Sequence, residues 1–167
     1  MRTQASLILP AISELDTLRE QVDPEFAALV PAHVTLVYDD EAPDSGLLMH
    51  RLEGACPKVP TIELSFQMVR AFLPPDDGLY VETQATRGYL ELREAVLAPP
   101  FKARGHVVPH VTILHPRRIA HAKGDWRTLA GTPIAKKATI SRVSLLLWDG
   151  KIWRLGSEFA LKTVRQS

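Results

Sequence analysis

One short pattern occurs twice in the chain, as Ala32-His33-Val34-Thr35-Leu36-Val37 and as Pro109-His110-Val111-Thr112-Ile113-Leu114. Each copy is a β-branched and aliphatic run, so each predicts a strand. Residues two apart on a strand leave the same face, so His and Thr project together while the valine between them projects to the other side. A fold that uses both copies must bring two strands, distant in sequence, to one surface. Tripeptides repeat by chance in chains of this length. Histidine is scarce, however, at six in 167 residues, and the apolar positions after each Thr match, which sets this repeat apart.

The segments around the copies predict the frame that must hold them. Ala5-Ser6-Leu7-Ile8-Leu9 reads as a first strand, stopped by Pro10, which has no N–H to give a ladder. Ile12, Leu15, Leu18 and Val22 recur at helical spacing after an N-cap at Ser13, until Asp23-Pro24 ends the pattern. Asp44 caps a second helix over 45–55, Thr86 a third through Leu97, and residues 119–130 predict a further short helix interrupted at Gly124. Residues 61–73 alternate as a long strand with Ile62, Leu64, Phe66 and Met68 on one face. Pro74-Pro75-Asp76-Asp77-Gly78 turns it back into a strand over 79–83. A strand over 138–148, the turn Asp149-Gly150 and a partner strand over 151–163 form a second hairpin. Hairpins with helices between them argue an α+β chain with mainly antiparallel sheets.

The chain is expected to fold as one unit over 1–167, since 46% hydrophobic residues suffice for a core. No stretch reaches the roughly 18 to 20 apolar residues of a membrane span, and the start lacks a leader's apolar run, so a cytoplasmic, membrane-free monomer is expected. The single Cys56 suits a reducing compartment and, beside Pro57, reads as a half-buried thiol and not a nucleophile. A net charge of +1 conceals an asymmetry: residues 1–100 hold seven Lys and Arg against sixteen Asp and Glu, and residues 101–167 hold thirteen against three. Either the two halves neutralise each other in space, or the basic half attracts phosphate near the second motif copy. The near-neutral total argues against gripping long duplexes and favours a small or terminal phosphate ligand.

Two imidazoles and two hydroxyls facing one groove suit in-line displacement at a phosphodiester. One neutral His takes a proton from the attacking oxygen, a protonated His gives one to the leaving oxygen, and the Thr hydroxyls hold the non-bridging oxygens. This chemistry calls for no metal ion and no cofactor. Each residue has a plainer reading: a lone His before a strand is commonly structural, and Thr on a strand reflects β propensity. Their pairing carries the functional reading. Secondary candidates for substrate contact are Tyr38 and His115, each five residues after a motif His and so facing away on a regular strand, and Phe72 and Arg117. Lys102, Arg104 and Arg118 could steer phosphate, and Trp148 and Trp153 could stack a base. Two other classes compete. A metallohydrolase could use His33, His110 and His115, but no closely spaced His/Cys/Glu ligand set accompanies them. A non-catalytic RNA-end or nucleotide-binding module would not need two titratable groups.

With this doubled His-x-Thr motif the chain resembles the two-histidine phosphoesterase superfamily, in its 2′-5′ RNA ligase and cyclic phosphodiesterase branch. Asp23-Pro24 before the first motif, Phe72-Leu73-Pro74 before a turn, and Pro109 before the second motif fit the family pattern. The resemblance implies a bilobal α+β fold, two mainly antiparallel sheets related by a pseudo-twofold axis around a central cleft, and helices on the outer faces. It implies metal-independent chemistry on 2′,3′-cyclic phosphates at RNA ends, related cyclic nucleotides or 2′-5′ linkages. His33 and His110 match the family's catalytic histidines, and Thr35 and Thr112 its phosphate-binding hydroxyls. By the same likeness His110 would be the base and His33 the acid in hydrolysis, with the roles exchanged when the reaction runs backwards as ligation.

Overall fold

A computed structural model describes residues 2–163. In chain order the elements are β1 (Arg2–Ile8), α1 (Ser13–Val22), α2 (Pro24–Leu29), β2 (His33–Val37), α3 (Ser45–Ala55), β3 (Ile62–Ala71) and β4 (Leu79–Thr83). They continue as α4 (Arg87–Val96), β5 (His110–Leu114), β6 (Pro133–Ile140), β7 (Arg142–Trp148) and β8 (Trp153–Ala160). The class is α+β, and every pairing between these strands is antiparallel. No helix among the described residues is long and apolar enough to cross a membrane.

The eight strands form one sheet in the order β6-β3-β4-β5-β2-β1-β7-β8, not the two separate sheets expected. The motif strands are the reason. β2 and β5, five residues each, share one registered pair, Val34 with Val111, whereas each is paired at four positions to its other neighbour. That narrow seam joins two four-stranded halves into one sheet.

The curvature of the sheet follows from a second local fact. A single residue, Ser141, separates β6 at one edge from β7, seventh in the order. Consecutive Cα atoms lie only about 3.8 Å apart, so the sheet must curl until β6 and β7 meet at this end. Leu161 N to Ser141 O and Lys162 N to Val59 O, both 2.8 Å, tie the closure. The strand expected over 138–148 is therefore two strands that pair with different neighbours, β3 and β1.

One face of the sheet carries the core. Leu7, Val34, Leu36, Val81, Val111 and Ile113 are buried there with Leu15 and Leu18 of α1, Leu48 and Leu52 of α3, and Leu92 and Val96 of α4. Each such aliphatic side chain contributes about 1.5–3 kcal/mol on burial. The caps are local: Asp23 accepts from Phe26 N at 3.0 Å to start α2, and Asp44 accepts from Leu47 N at 3.0 Å to start α3.

Three sequence expectations fail for local reasons. Ser13 is the first residue of α1 and not its cap, and its hydroxyl donates to Glu14 at 3.0 Å. A bulge shifts the register of β3 between Phe66 and Met68, so Val69 takes the core position at 1% exposure and Met68 is 43% exposed. The helix expected over 119–130 is two 3-10 turns, Pro116–His121 and Trp126–Leu129, separated where Gly124 adopts φ +61°. Cys56 is buried, and burial pushes its thiol up to about 12, which leaves it unsuited to act as a nucleophile.

Candidate active site

The seam between β2 and β5 determines where the polar residues of the two motifs stand. With Val34 opposite Val111 in an antiparallel pair, the register places His33 level with Thr112 and Thr35 level with His110. All four side chains leave the face opposite the buried valines, and all four are half-buried. The diagonal of that register carries the two histidines, and the charge of His110 bears on His33.

Both imidazoles are anchored alike. His33 Nδ1 lies 2.9 Å from Pro31 O, and His110 Nδ1 lies 2.8 Å from Val108 O. A carbonyl only accepts, so Nδ1 carries the hydrogen in each neutral ring and Nε2 keeps its lone pair. Burial lowers the pKa of His33 to about 4, helped by the positive charges of Arg19 and His110 and opposed by the bond to Pro31. Burial also lowers His110, with the Val108 carbonyl acting against it.

Neighbouring strands supply residues that the sequence reading did not select. On the β1 side, Gln4 Nε2 reaches His33 Nε2 at 3.1 Å, Thr35 Oγ1 at 3.3 Å and Ser6 Oγ at 3.0 Å. Ser6 is paired with Ser144 of β7, whose hydroxyl donates to Glu158 Oε1 at 3.2 Å. On the β4 side, Tyr80 is paired with Thr112 and Glu82 with His110, and Arg70 holds the Glu82 carboxylate at 3.0 Å. Tyr80 meets the His110 ring edge-on at 5.4 Å between centroids, and Phe72 meets it at 5.7 Å. Phe72, singled out from the sequence, therefore stands beside a motif histidine. For the others the signal was present in the alternation of 4, 6, 80 and 82, but only the strand pairing reveals it.

Other sequence candidates are held elsewhere. Tyr38 lies under the Arg104 guanidinium, 3.9 Å from its centroid, and its backbone N–H donates to Glu41 at 3.0 Å. Burial raises its hydroxyl pKa. His115 lies beyond the end of β5, where strand alternation no longer applies, and its Nδ1 accepts from Arg117 N at 3.1 Å to cap the turn Pro116–His121. Burial, then Arg117 and His110, lower its pKa. Arg117 thus meets His115 through its backbone. Trp148 and Trp153 pack on each other at 5.5 Å, with Arg2 over both rings.

Part of the charge asymmetry resolves into cross-pairing. Arg104, Arg118, Arg127 and Lys136 of the basic half bind Asp40, Asp23, Asp77 and Glu14 of the acidic half. Arg104 and Arg118 are therefore engaged by carboxylates. Lys102 enters these contacts through its backbone, which donates to Glu41 O at 3.4 Å. Among the described residues, no three His, Cys, Asp or Glu side chains converge as a ligand set for a metal ion.

Comparison with solved structures places this architecture. The crystal structure of TT0787 from Thermus thermophilus superposes with a TM-score of 0.71 at 14% identity, covering 98% of this chain and 99% of that one. E. coli LigT complexed with NADP+ superposes with a TM-score of 0.61 at 17% identity, over 96% of this chain and 97% of the other. A structure described as a phosphoesterase gives 0.60 at 18% identity, over 96% and 98%. At these identities the likeness speaks for the fold. No curated protein matches the chain in sequence. The 2′-5′ RNA ligase superfamily, as a family, matches residues 9–152, a span that includes both motif strands, β3, β4, β6 and all of β7. The chain belongs to the 2′-5′ RNA ligase superfamily.

Proposed function

We propose that the protein opens 2′,3′-cyclic phosphates, at RNA ends or on small nucleotides, by general acid–base catalysis between His33 and His110 without a metal ion. The register at Val34 and Val111 carries this reading, because it sets two imidazoles and two threonine hydroxyls on one face. One imidazole accepts the proton of the attacking water as the new P–O bond forms. The other donates a proton to the ribose oxygen as its bond to phosphorus breaks. Thr35 and Thr112 donate to the non-bridging oxygens, where negative charge builds. Run backwards with a ribose hydroxyl as the nucleophile, the same pair would form a 2′-5′ linkage.

Family membership supports phosphoester chemistry. Solved structures of E. coli LigT hold 3′-AMP and ATP, both phosphorylated adenosines, and the pair Phe72 and Tyr80 beside His110 offers aromatic surface to such a ring. The test is a panel of 2′,3′-cyclic nucleotides, 2′-5′ dinucleotides and 3′-5′ dinucleotides, incubated with and without a chelator and resolved by product. Opening of the cyclic phosphates, unaffected by chelator, is the expected result. Tight binding of the panel without any turnover would instead make the chain a nucleotide-binding module.

A further inference from the structure

The register of β1 carries the cleft face outward to the edge of the sheet. Gln4, which reaches His33 and Thr35, is paired with Leu146 of β7, and Arg2, two residues earlier on the same face, is paired with Trp148. β8 continues both rows, with Leu155 opposite Leu146 and Trp153 opposite Trp148. Leu146 is 1% exposed yet stands outside the main core cluster, and Leu155 is 57% exposed. An apolar strip thus runs from the Gln4 contact across two strands to a pair of indoles at the sheet edge.

The indoles keep surface free for a flat ring. Their centroids are 5.5 Å apart with the planes at 49°, a tilt that leaves part of each face uncovered, and both side chains are only half-buried. The Arg2 guanidinium lies 5.6 Å from one centroid and 5.8 Å from the other, with Asp39 at 3.3 Å. One cation thereby braces both rings. Around the pair, Arg2, Lys151 and Arg154 outnumber Asp39 and Asp149, which suits a polyanion. Packing across a hairpin accounts for an indole pair by itself. It does not account for the apolar strip that joins the pair to Gln4, nor for an exposed leucine within that strip. Arg2, Trp153 and Leu155 also fall outside residues 9–152, where the family matches.

We propose that Trp148 and Trp153, braced by Arg2, form a stacking subsite for an RNA base neighbouring the nucleotide that carries the reacting phosphate, so that the preferred substrate is an oligonucleotide end and not a free nucleotide. This rests on the functional reading above. With one base on Phe72 and Tyr80 beside His110, the strand crosses the seam between β2 and β5 and lays a neighbouring base on the far side. Every base has a π face, so the subsite responds to strand length and not to sequence.

The experiment compares kcat/KM for 2′,3′-cyclic AMP, a trinucleotide ending in a 2′,3′-cyclic phosphate, and the same trinucleotide with abasic upstream positions, in the wild type, Trp153→Leu and Trp153→Phe. The intact trinucleotide should exceed cyclic AMP by about 5- to 150-fold, mainly through KM, and the abasic form should lose that advantage. Trp153→Leu should bring the intact and abasic strands together, and Trp153→Phe should keep them apart. A loosened hairpin would slow all three substrates alike, and that result overturns the proposal. So does a wild type that treats intact and abasic strands equally. Binding is read separately in the wild type by indole fluorescence, with 3′-AMP and a trinucleotide 3′-phosphate as probes. Stronger quenching by the trinucleotide is expected, and an equal response to both probes overturns the subsite. If the trinucleotide quenches while no cyclic phosphate is turned over, the subsite stands and the functional reading falls. Turnover with no preference for the strand has the opposite meaning.

Discussion

Gly78 and Leu114 approach so closely that a Cβ at Gly78 would overlap the Leu114 carbonyl oxygen. The glycine also has φ +127°, a conformation that side chains disfavour. This turn returns β3 into β4 directly beside the strand of His110, and Phe72 N donates to Gly78 O at 3.1 Å across it. Gly78→Ala should therefore cost about 2 kcal/mol or more, read as a lowered midpoint in denaturant. It should also lower kcat/KM at temperatures where the variant is folded, because Phe72 and Tyr80 pack on the His110 ring. Wild-type stability in this variant would show that the turn relaxes freely.

The pH profile follows from the two imidazoles. One ring must be neutral and the other protonated, and burial lowers the pKa of His33 to about 4 and lowers that of His110 from 6.5. The profile of kcat/KM should be bell-shaped, with its maximum on the acid side of neutrality. Initial rates on a cyclic nucleotide across the acidic and neutral range check this. A maximum on the alkaline side of neutrality would contradict it.

The same burial links folding to pH. The unfolded chain holds a proton on His33 below about 6.5 and the folded chain only below about 4, so the unfolded state binds more protons between these values. Stability contributed by the neutral ring is complete above about pH 6.5 and is lost as pH falls toward 4. Thermal midpoints should drop over that window, and drop less in His33→Gln, which has no proton to gain. Parallel curves for the two proteins would refute the assignment.

A buried ion pair fixes the exit of the first motif strand. Arg93 of α4 binds both carboxylate oxygens of Glu41 and donates to Leu36 O at 2.5 Å, while Glu41 also accepts from Tyr38 N and Arg104 N. Arg93→Met leaves a buried carboxylate without its cation and should cost about 3–5 kcal/mol. Adding Glu41→Gln to that variant removes the stranded charge and should recover part of the loss. Chemical denaturation of the three proteins measures both effects.

How much of this was legible in the chain depends on which interactions decide each feature. Asp23-Pro24, Asp44 and the His-Val-Thr runs announce their elements through nearest-neighbour chemistry, and the structure places those elements where the sequence does. The bulge that exposes Met68, the break at Ser141 and the lone bridge at Val34 depend on partners far along the chain, which periodicity cannot encode. The same holds for the site. His33 and His110 stand out by repetition, whereas Gln4, Ser6, Tyr80 and Glu82 are ordinary strand residues until register sets them beside the motifs. Tyr38 and Arg118 looked available because their counter-groups, Arg104 and Asp23, are distant in sequence or on another element.

The central claim is that two rings from two strands serve one phosphate. Steady-state opening of a 2′,3′-cyclic nucleotide by wild type, His33→Ala, His110→Ala and the double variant, each verified as folded, tests it most directly. General acid or base catalysis supplies about 10²- to 10⁴-fold per group, so each single variant should lose about that much in kcat, and the double variant should lose less than the product of the two. Wild-type turnover in either folded single variant would contradict the account.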